Sequence, residues 1–244
     1  MLSSKGRHFT SFGFVFSNLV RLSLLCLVNG KKQKTSIIQE KIRIQPKNPE
    51  QHLYSKYLND ERNKIVVCTG CAGTGKTLLS LNYGIERLRN NDVDKLILTR
   101  PTVCVDNENL GFLPGKIDAK IQPFMNPYFD IFGKEMKQFI EEKRILMMPL
   151  AYMRGLTFND CVVIADEMEN STPIQMKMLL TRIGENGKIL VTGDLEQSDI
   201  YHENGLQQFI SILDPECASI KHLTLKKIER SPIITQILDM YNSK

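Results

Sequence analysis

The sequence contains no tryptophan, and only 7% of its residues are aromatic. That scarcity argues against a carbohydrate-type site lined by large aromatic rings. Long apolar runs are also missing. In the most apolar segment, residues 9–28, Asn18 and Arg21 break the run, and the stretch Leu22–Val28 is too short to cross a bilayer. Stable membrane insertion is therefore not expected. Paired cysteine spacing is lacking as well. The six cysteines, at positions 26, 68, 71, 104, 161 and 217, follow neither a disulfide framework nor a four-ligand zinc pattern. Most lie in apolar runs, as buried free thiols do, which points to a reducing compartment. Cys68 and Cys71 read C-x-x-C, but the first ends an apolar run and the second lies in a glycine-rich stretch. That is weak ground for a metal or redox role. No internal repeat or low-complexity tract is visible.

Acidic residues are absent from residues 1–34, which hold six basic side chains: Lys5, Arg7, Arg21, Lys31, Lys32 and Lys34. Setting these six aside from the 32 Lys and Arg leaves 26 basic residues against 27 acidic ones. The net charge of +5 therefore belongs to the leader, and the body is neutral. Global charge gives no support for nucleic-acid binding, although it leaves room for a local basic groove. The leader is basic, bears serines and has no small-x-small cleavage site, so secretion is not expected. It reads either as an organelle transit peptide or as an extension that takes no part in the fold. The expected location is the cytoplasm or, with a transit peptide, an organelle interior.

What remains, residues 35–244, is long enough for one full core. Asn48, with Pro49 next and Gln51 third after it, predicts a capped helix at about 50–59. Strand and helix signals then alternate. Ile65–Thr69 is a β-branched run, and Lys76–Leu88 has apolar residues at helical spacing. Leu96–Thr99 reads as a strand. Residues 104–133, rich in Gly and Pro, read as an irregular insertion. Glu135–Glu142 is helical in pattern, and Ile145–Met148 is a strand candidate. Cys161–Ala165 is apolar throughout, as in a strand buried on both faces. Thr172–Ile183 predicts a helix that starts at Pro173 and stops at Gly184. Ile189–Thr192 and Ile220–Leu225 predict strands, and Ile233–Tyr241 a last helix. The alternation predicts an α/β fold, a mostly parallel sheet with helices on both faces. Ligands of such sheets bind beyond the carboxyl ends of the strands, where Gly70, Arg100, Asp166-Glu167 and Gly193-Asp194 fall.

Those strand ends carry chemistry. Gly70-Cys71-Ala72-Gly73-Thr74-Gly75-Lys76-Thr77 has the G-x-x-x-x-G-K-T spacing of a phosphate-binding loop, with an apolar strand before it and a periodic helix after it. Glycines let backbone N–H groups turn inward to cradle phosphate oxygens, and the helix N-terminus adds its positive dipole end. The pattern gives Lys76 the β and γ phosphates and Thr77 the Mg²⁺. Val162–Glu167 adds an apolar strand ending in two acids. Asp166 is the candidate for the Mg²⁺ water shell, and Glu167 the candidate general base on the attacking water. The simpler alternative has Glu167 capping the helix after it. After the next strand, Asp194 and Gln197 are candidates to sense the γ-phosphate or orient the water.

Several stretches together resemble one family. GCAGTGKT, LTRPTV, LGFLPGKID, PLAYMRG, IADEMENSTPIQMKMLLTRIG and VTGDLEQSDI are similar to the PhoH family of P-loop ATPases, in that family's order, over about residues 45–241. The resemblance implies one ATPase domain of the helicase- and RecA-like division, ATP and Mg²⁺ as ligands, and a link to RNA metabolism. It implies that the strand ending in Gly193-Asp194 lies between the loop strand and the Asp166 strand. It also makes Gln51 and Tyr54 a helicase-like element, in which Gln reads adenine and the aromatic ring stacks on it. The competing role for Gln51 is helix capping. Thr99 and Arg100 fall where such proteins touch a single strand, with Phe124, Tyr128 and Phe129 as stacking or core residues. Arg154, Arg182 and Arg230 are candidate arginines for the γ-phosphate, a role that contributes roughly 10³–10⁵ in rate. Arginines supplied in trans would imply a homo-oligomeric, hexamer-like ring. Three positions depart from the family: Cys71 replaces a proline, Glu169 a glutamine, and Asp106-Asn107-Glu108 a Gly-Glu-Lys-like run. Glu169 adds a carboxylate near the γ-phosphate. The expected activity is Mg²⁺-dependent ATP hydrolysis coupled to remodelling single-stranded RNA. The alternatives are a nucleotide-state switch on a protein partner and, ranked last, a DNA helicase.

Overall fold

A computed structural model describes residues 43–101, 129, 132–198, 204–229 and 240. The leader, most of the 104–133 insertion, Arg230 and nearly all of the last expected helix lie outside these residues.

Six strands form one sheet in which every pairing is parallel: β1 (Ile65–Thr69), β2 (Lys95–Thr99), β3 (Ile145–Met147), β4 (Cys161–Ala165), β5 (Lys188–Gly193) and β6 (Ile220–Thr224). The order across the sheet is β3-β2-β4-β5-β1-β6. Strands β1, β4 and β5 are buried along their whole length. This explains their apolar runs, Ile65–Cys68, Cys161–Ala165 and Ile189–Val191, since a sheet covered on both faces offers no solvent side. Alternate residues go to opposite faces. Val66, Cys68, Val162, Ile164 and Leu190 join one core. Ile65, Val67, Val163, Ala165, Ile189 and Val191 join the other.

Helices cover both faces. Over the first core lie α1 (Pro49–Asn59), α2 (Lys76–Arg89) and α3 (residues 132–141). Over the second lie α4 (Pro173–Leu180) and α5 (Gly205–Ser211). Helix α1 starts as its sequence predicts: the Asn48 side chain accepts from Gln51 N at 2.9 Å, and Pro49 follows the cap. Helix α2 lies close on the sheet because position 84 is glycine. A Cβ there would come within 2.7 Å of the Leu96 side chain.

Helix α4 is shorter than the pattern over 172–183 predicts. Its start holds, with a reciprocal capping box between Thr172 and Gln175. Its last expected turn is drawn away to pair with Phe158, whose N–H donates to Arg182 O at 2.8 Å and whose carbonyl accepts from Gly184 N at 3.0 Å. Thr181 ends the helix, and its hydroxyl donates back to Lys177 O. Tertiary pairing overrides local periodicity here.

The topology positions the site. Strand β5 separates the loop strand β1 from the acid strand β4, the arrangement expected for the helicase- and RecA-like division of P-loop folds. Because the strands are parallel, the residues just after β1, β5, β4 and β2 emerge along one edge. Among the described residues, no helix is long and apolar enough to cross a membrane.

Candidate functional site

The carboxyl edge holds a cleft of about 470 Å³. Its floor is the loop between β1 and α2. Gly70, Gly73 and Gly75 have φ of 139°, 86° and 94°, the left-handed region that side chains disfavour. Gly70 has a second reason to be glycine: a Cβ there would run into the Leu225 carbonyl. Ala72, Gly73, Gly75, Lys76 and Thr77 line the cleft. The Lys76 ammonium donates to the Gly70 carbonyl and, at 2.9 Å, to the Cys71 carbonyl. Thr74, fully buried, donates its hydroxyl to Cys71 O at 2.9 Å. Cys71 thus takes part through its carbonyl. Burial pushes its half-covered thiol up from the usual range.

The two acids after β4 have different environments. Asp166 is buried, and its Oδ1 accepts from Thr77 Oγ1 at 2.8 Å and from Thr192 Oγ1. This ties the helix after the loop to β4 and β5. Glu167 turns away through a left-handed backbone, with φ 54°. It lines the cleft, half-buried, and pairs with Arg100 from the end of β2. It does not cap α4, because Thr172 does.

At the end of β5, Asp194 and Gln197 also reach the cleft. Asp194 is buried. Its Oδ1 accepts from Glu196 N at 3.1 Å, while its Oδ2 has no hydrogen-bond partner. Gln197 is exposed, one turn on, with its N–H on Asp194 O at 3.1 Å. Glu169 is buried beside them, and its Oε2 accepts from Asp194 N at 3.0 Å. That is an acceptor's role, which the amide oxygen of a glutamine would also fill. Burial pushes the Glu169 carboxyl up, and Asp166 and Asp194 add to the shift.

The other wall is a strap made of distant residues. Leu225 N donates to Thr69 O at 2.8 Å, and Glu229 N to Gly73 O at 3.0 Å. The Glu229 carboxylate accepts from Asn48 Nδ2 at 2.8 Å, a bond that holds its carboxyl below the usual range. Glu50 accepts from the backbone N–H groups of Lys226 and Lys227. Gln51 is buried and bonds the loop directly: Nε2 donates to Thr74 O at 2.9 Å, and Oε1 accepts from Lys47 N at 2.8 Å. It lines the cleft together with Ile44, Leu78 and Leu81, the apolar end.

Tyr54 corrects the sequence reading. Its ring is fully buried in the core, and its hydroxyl bonds Ser80 Oγ at 2.6 Å, so it offers no face to a base. The signal lay in the spacing: the buried positions of α1 are 51, 54 and 58, an ordinary inward stripe. The strap has no local signal, and Thr192 has none beyond its place beside Gly193.

The two described arginine candidates, Arg154 and Arg182, are not gathered into the cleft. Arg154 is exposed after a 3₁₀ turn (Leu150–Met153), and Arg182 reaches toward Leu156 O and Thr181; neither lines it. Arg230, Phe124 and Tyr128 lie outside the described residues. Phe129 is half-buried against the first core.

The donor set fits a nucleotide with a hard divalent cation. The loop presents left-handed glycines and an ammonium. Thr77 and Asp166 are adjacent hard oxygen donors, the kind Mg²⁺ takes. Asp194 leaves a buried carboxylate oxygen without a hydrogen bond at the cleft.

Known proteins resemble this chain over most of its length. The profile described as PhoH-like protein matches residues 43–242. A PhoH-like protein of Synechocystis is 37% identical over 231 residues, covering 88% of this chain and 70% of the relative. One of Bacillus subtilis is 36% identical over 194 residues, covering 75% and 60%. Protein PhoH of Escherichia coli is 44% identical over 147 residues, covering 57% and 41%. The shared region is thus about three fifths or less of the last two relatives. Among solved structures, the chain is similar to the Pif1 helicase of Candida albicans, with TM-score 0.44 and 19% identity over 82% of this chain and 44% of that one. With the profile and the relatives covering most of its length, the chain belongs to the PhoH-like protein family.

Proposed function

We propose that this protein is an Mg²⁺-dependent ATPase whose turnover is coupled to remodelling RNA or another single-stranded nucleic acid. The observation that carries hydrolysis, as opposed to mere nucleotide binding, is the division of labour after β4. Asp166 is buried and tied to Thr77, whereas Glu167 is turned out into the cleft.

The residues then have separate tasks. Backbone N–H groups of the loop and the first turn of α2 hold phosphate oxygens. Lys76 exchanges the Gly70 and Cys71 carbonyls for the β and γ phosphates. Thr77 and Asp166 hold the cation, which when bound supplies positive charge to the phosphate oxygens. Glu167 accepts a proton from the attacking water. Gln197 and Asp194, beside it on the cleft wall, orient that water and register the terminal phosphate. Ile44, Leu78 and Leu81 face the base, while Gln51 keeps the loop in shape. Arg154 and Arg230 remain candidates for a contribution in trans within a homo-oligomeric ring.

The test is ATP hydrolysis with and without single-stranded RNA. Lys76→Ala abolishes nucleotide binding. Glu167→Gln retains binding and loses about 10²–10⁴ in kcat. Hydrolysis at the wild-type rate in Glu167→Gln rules out Glu167 as the base. The neutral body favours a second reading, a nucleotide-state switch acting on a protein partner. Hydrolysis indifferent to every nucleic acid selects that reading.

A further inference from the structure

Resting on the ATPase reading, we propose that Arg100 is a latch on Glu167 that a nucleic-acid phosphodiester opens. The latch arises from strand pairing. Thr99 lies opposite Ala165 in neighbouring parallel strands, and Asp166 N donates to Thr99 O at 3.0 Å. The residues that follow both strands are therefore held close together, and the Arg100 guanidinium pairs with Glu167 Oε2. A carboxylate oxygen engaged by a guanidinium is not free to take a proton from water.

Three features make the pair releasable. Its side chains are 35% and 37% exposed, so solvent screens the attraction and an incoming anion has access. A phosphodiester offers the guanidinium fork two oxygens in the same matching geometry as a carboxylate, so it can take the place of Glu167. Finally, the sheet order sets β2 three places from β1, at about 4.8 Å per strand. Arg100 thus enters the cleft from the β2 side, beside Glu167, and its exposure leaves it open to a phosphate from outside the nucleotide. A strand laid along the carboxyl edge draws Arg100 off Glu167 and turns a resting site into a hydrolysing one.

The experiment measures kcat and KM for ATP, with and without a single-stranded RNA oligonucleotide, in wild type, Arg100→Ala, Arg100→Lys and Glu167→Gln. In Arg100→Ala the RNA-free kcat rises roughly two- to fivefold, the worth of one half-exposed ion pair. KM for ATP is unchanged, and RNA adds nothing further. Arg100→Lys keeps the low RNA-free rate and part of the stimulation. Arg100→Gln, uncharged but long, repeats the measurement if the alanine variant does not fold. An RNA-free kcat that falls or stays level overturns the latch. A fall with a raised KM assigns Arg100 to the nucleotide's own phosphate instead. No RNA stimulation of the wild type overturns the phosphodiester. Loss of hydrolysis in Glu167→Gln beside an unaltered Arg100→Ala removes the latch and leaves the ATPase reading standing. Normal hydrolysis in Glu167→Gln removes the reading itself.

Discussion

At the amino edge of the sheet, the Lys188 ammonium is buried at the start of β5. It donates to the carbonyls of Leu58 and Asp60 and lies 5.2 Å from the centre of the Tyr83 ring. Arg87 sits 5.8 Å from the same ring and pairs with Glu61 at 2.8 Å. At the carboxyl edge, Asp194 is buried with an oxygen lacking any hydrogen bond, and the Thr99 hydroxyl is in the same condition. There Lys76 spends its donors on loop carbonyls. One edge pairs its charges with fixed groups of the fold. The other ties its ammonium to the loop carbonyls and leaves a buried carboxylate oxygen of Asp194 without a hydrogen bond. Both edges belong to the same strands, so the contrast lies in the residues that flank each strand, not in the strand itself.

Substitutions at the two edges should therefore behave differently. The largest effect is expected from Gly70→Ala, which adds a Cβ against Leu225 O at a left-handed φ. It costs about 3 kcal/mol of stability and at least roughly a hundredfold in nucleotide affinity. Thermal melting and a fluorescent-nucleotide titration check this, and normal binding would show that the cradle tolerates a side chain.

At the amino edge the test is pH. Burial holds folded Lys188 at about 8 against its ordinary 10.5. Between those values the unfolded chain keeps a proton that the folded one has released, so stability rises with pH across that window. The gain is up to roughly 3 kcal/mol, and Lys188→Met removes it without altering ATP turnover at pH 7. Denaturant melts from pH 7 to 10.5 measure the difference between the two proteins. A parallel pH response in both would mean that Lys188 is solvated.

Smaller effects separate the edges further. Glu229→Ala removes the Asn48 bond and raises KM for ATP roughly two- to fivefold, while Glu229→Gln, still an acceptor, recovers most of it. Asp194→Asn takes away a buried charge that lies close to Glu169. It stabilises the free protein by about 1 kcal/mol while lowering turnover, the opposite sign from a structural charge. A loss of stability there would place Asp194 with the amino-edge groups.

The readable part of the site is the part encoded within a few residues. Loop spacing, the paired acids, the strand ends and the Asn48-Pro49-Gln51 cap all depend on short-range chemistry, and each lies where its pattern predicts. Tyr54 departs from its reading because resemblance to a base-stacking element competes with its inward helical spacing, and the spacing wins. The end of α4 departs because Phe158, outside the periodic window, claims residues 182–184. The strap is invisible for a stricter reason: Glu229 meets Gly73 and Asn48 across most of the chain, and nothing near position 229 marks it.

That strap orders the protein in time as well as in space. The phosphate-loop sequence leaves the ribosome early, but Leu225 and Glu229, which fix the carbonyls of Thr69 and Gly73, are synthesised more than 150 residues later. A nascent chain halted before β6 carries the complete motif without the frame that shapes it. The frame around the loop is thus complete only when β6 has paired with β1 and the strap behind it has closed on Thr69 and Gly73.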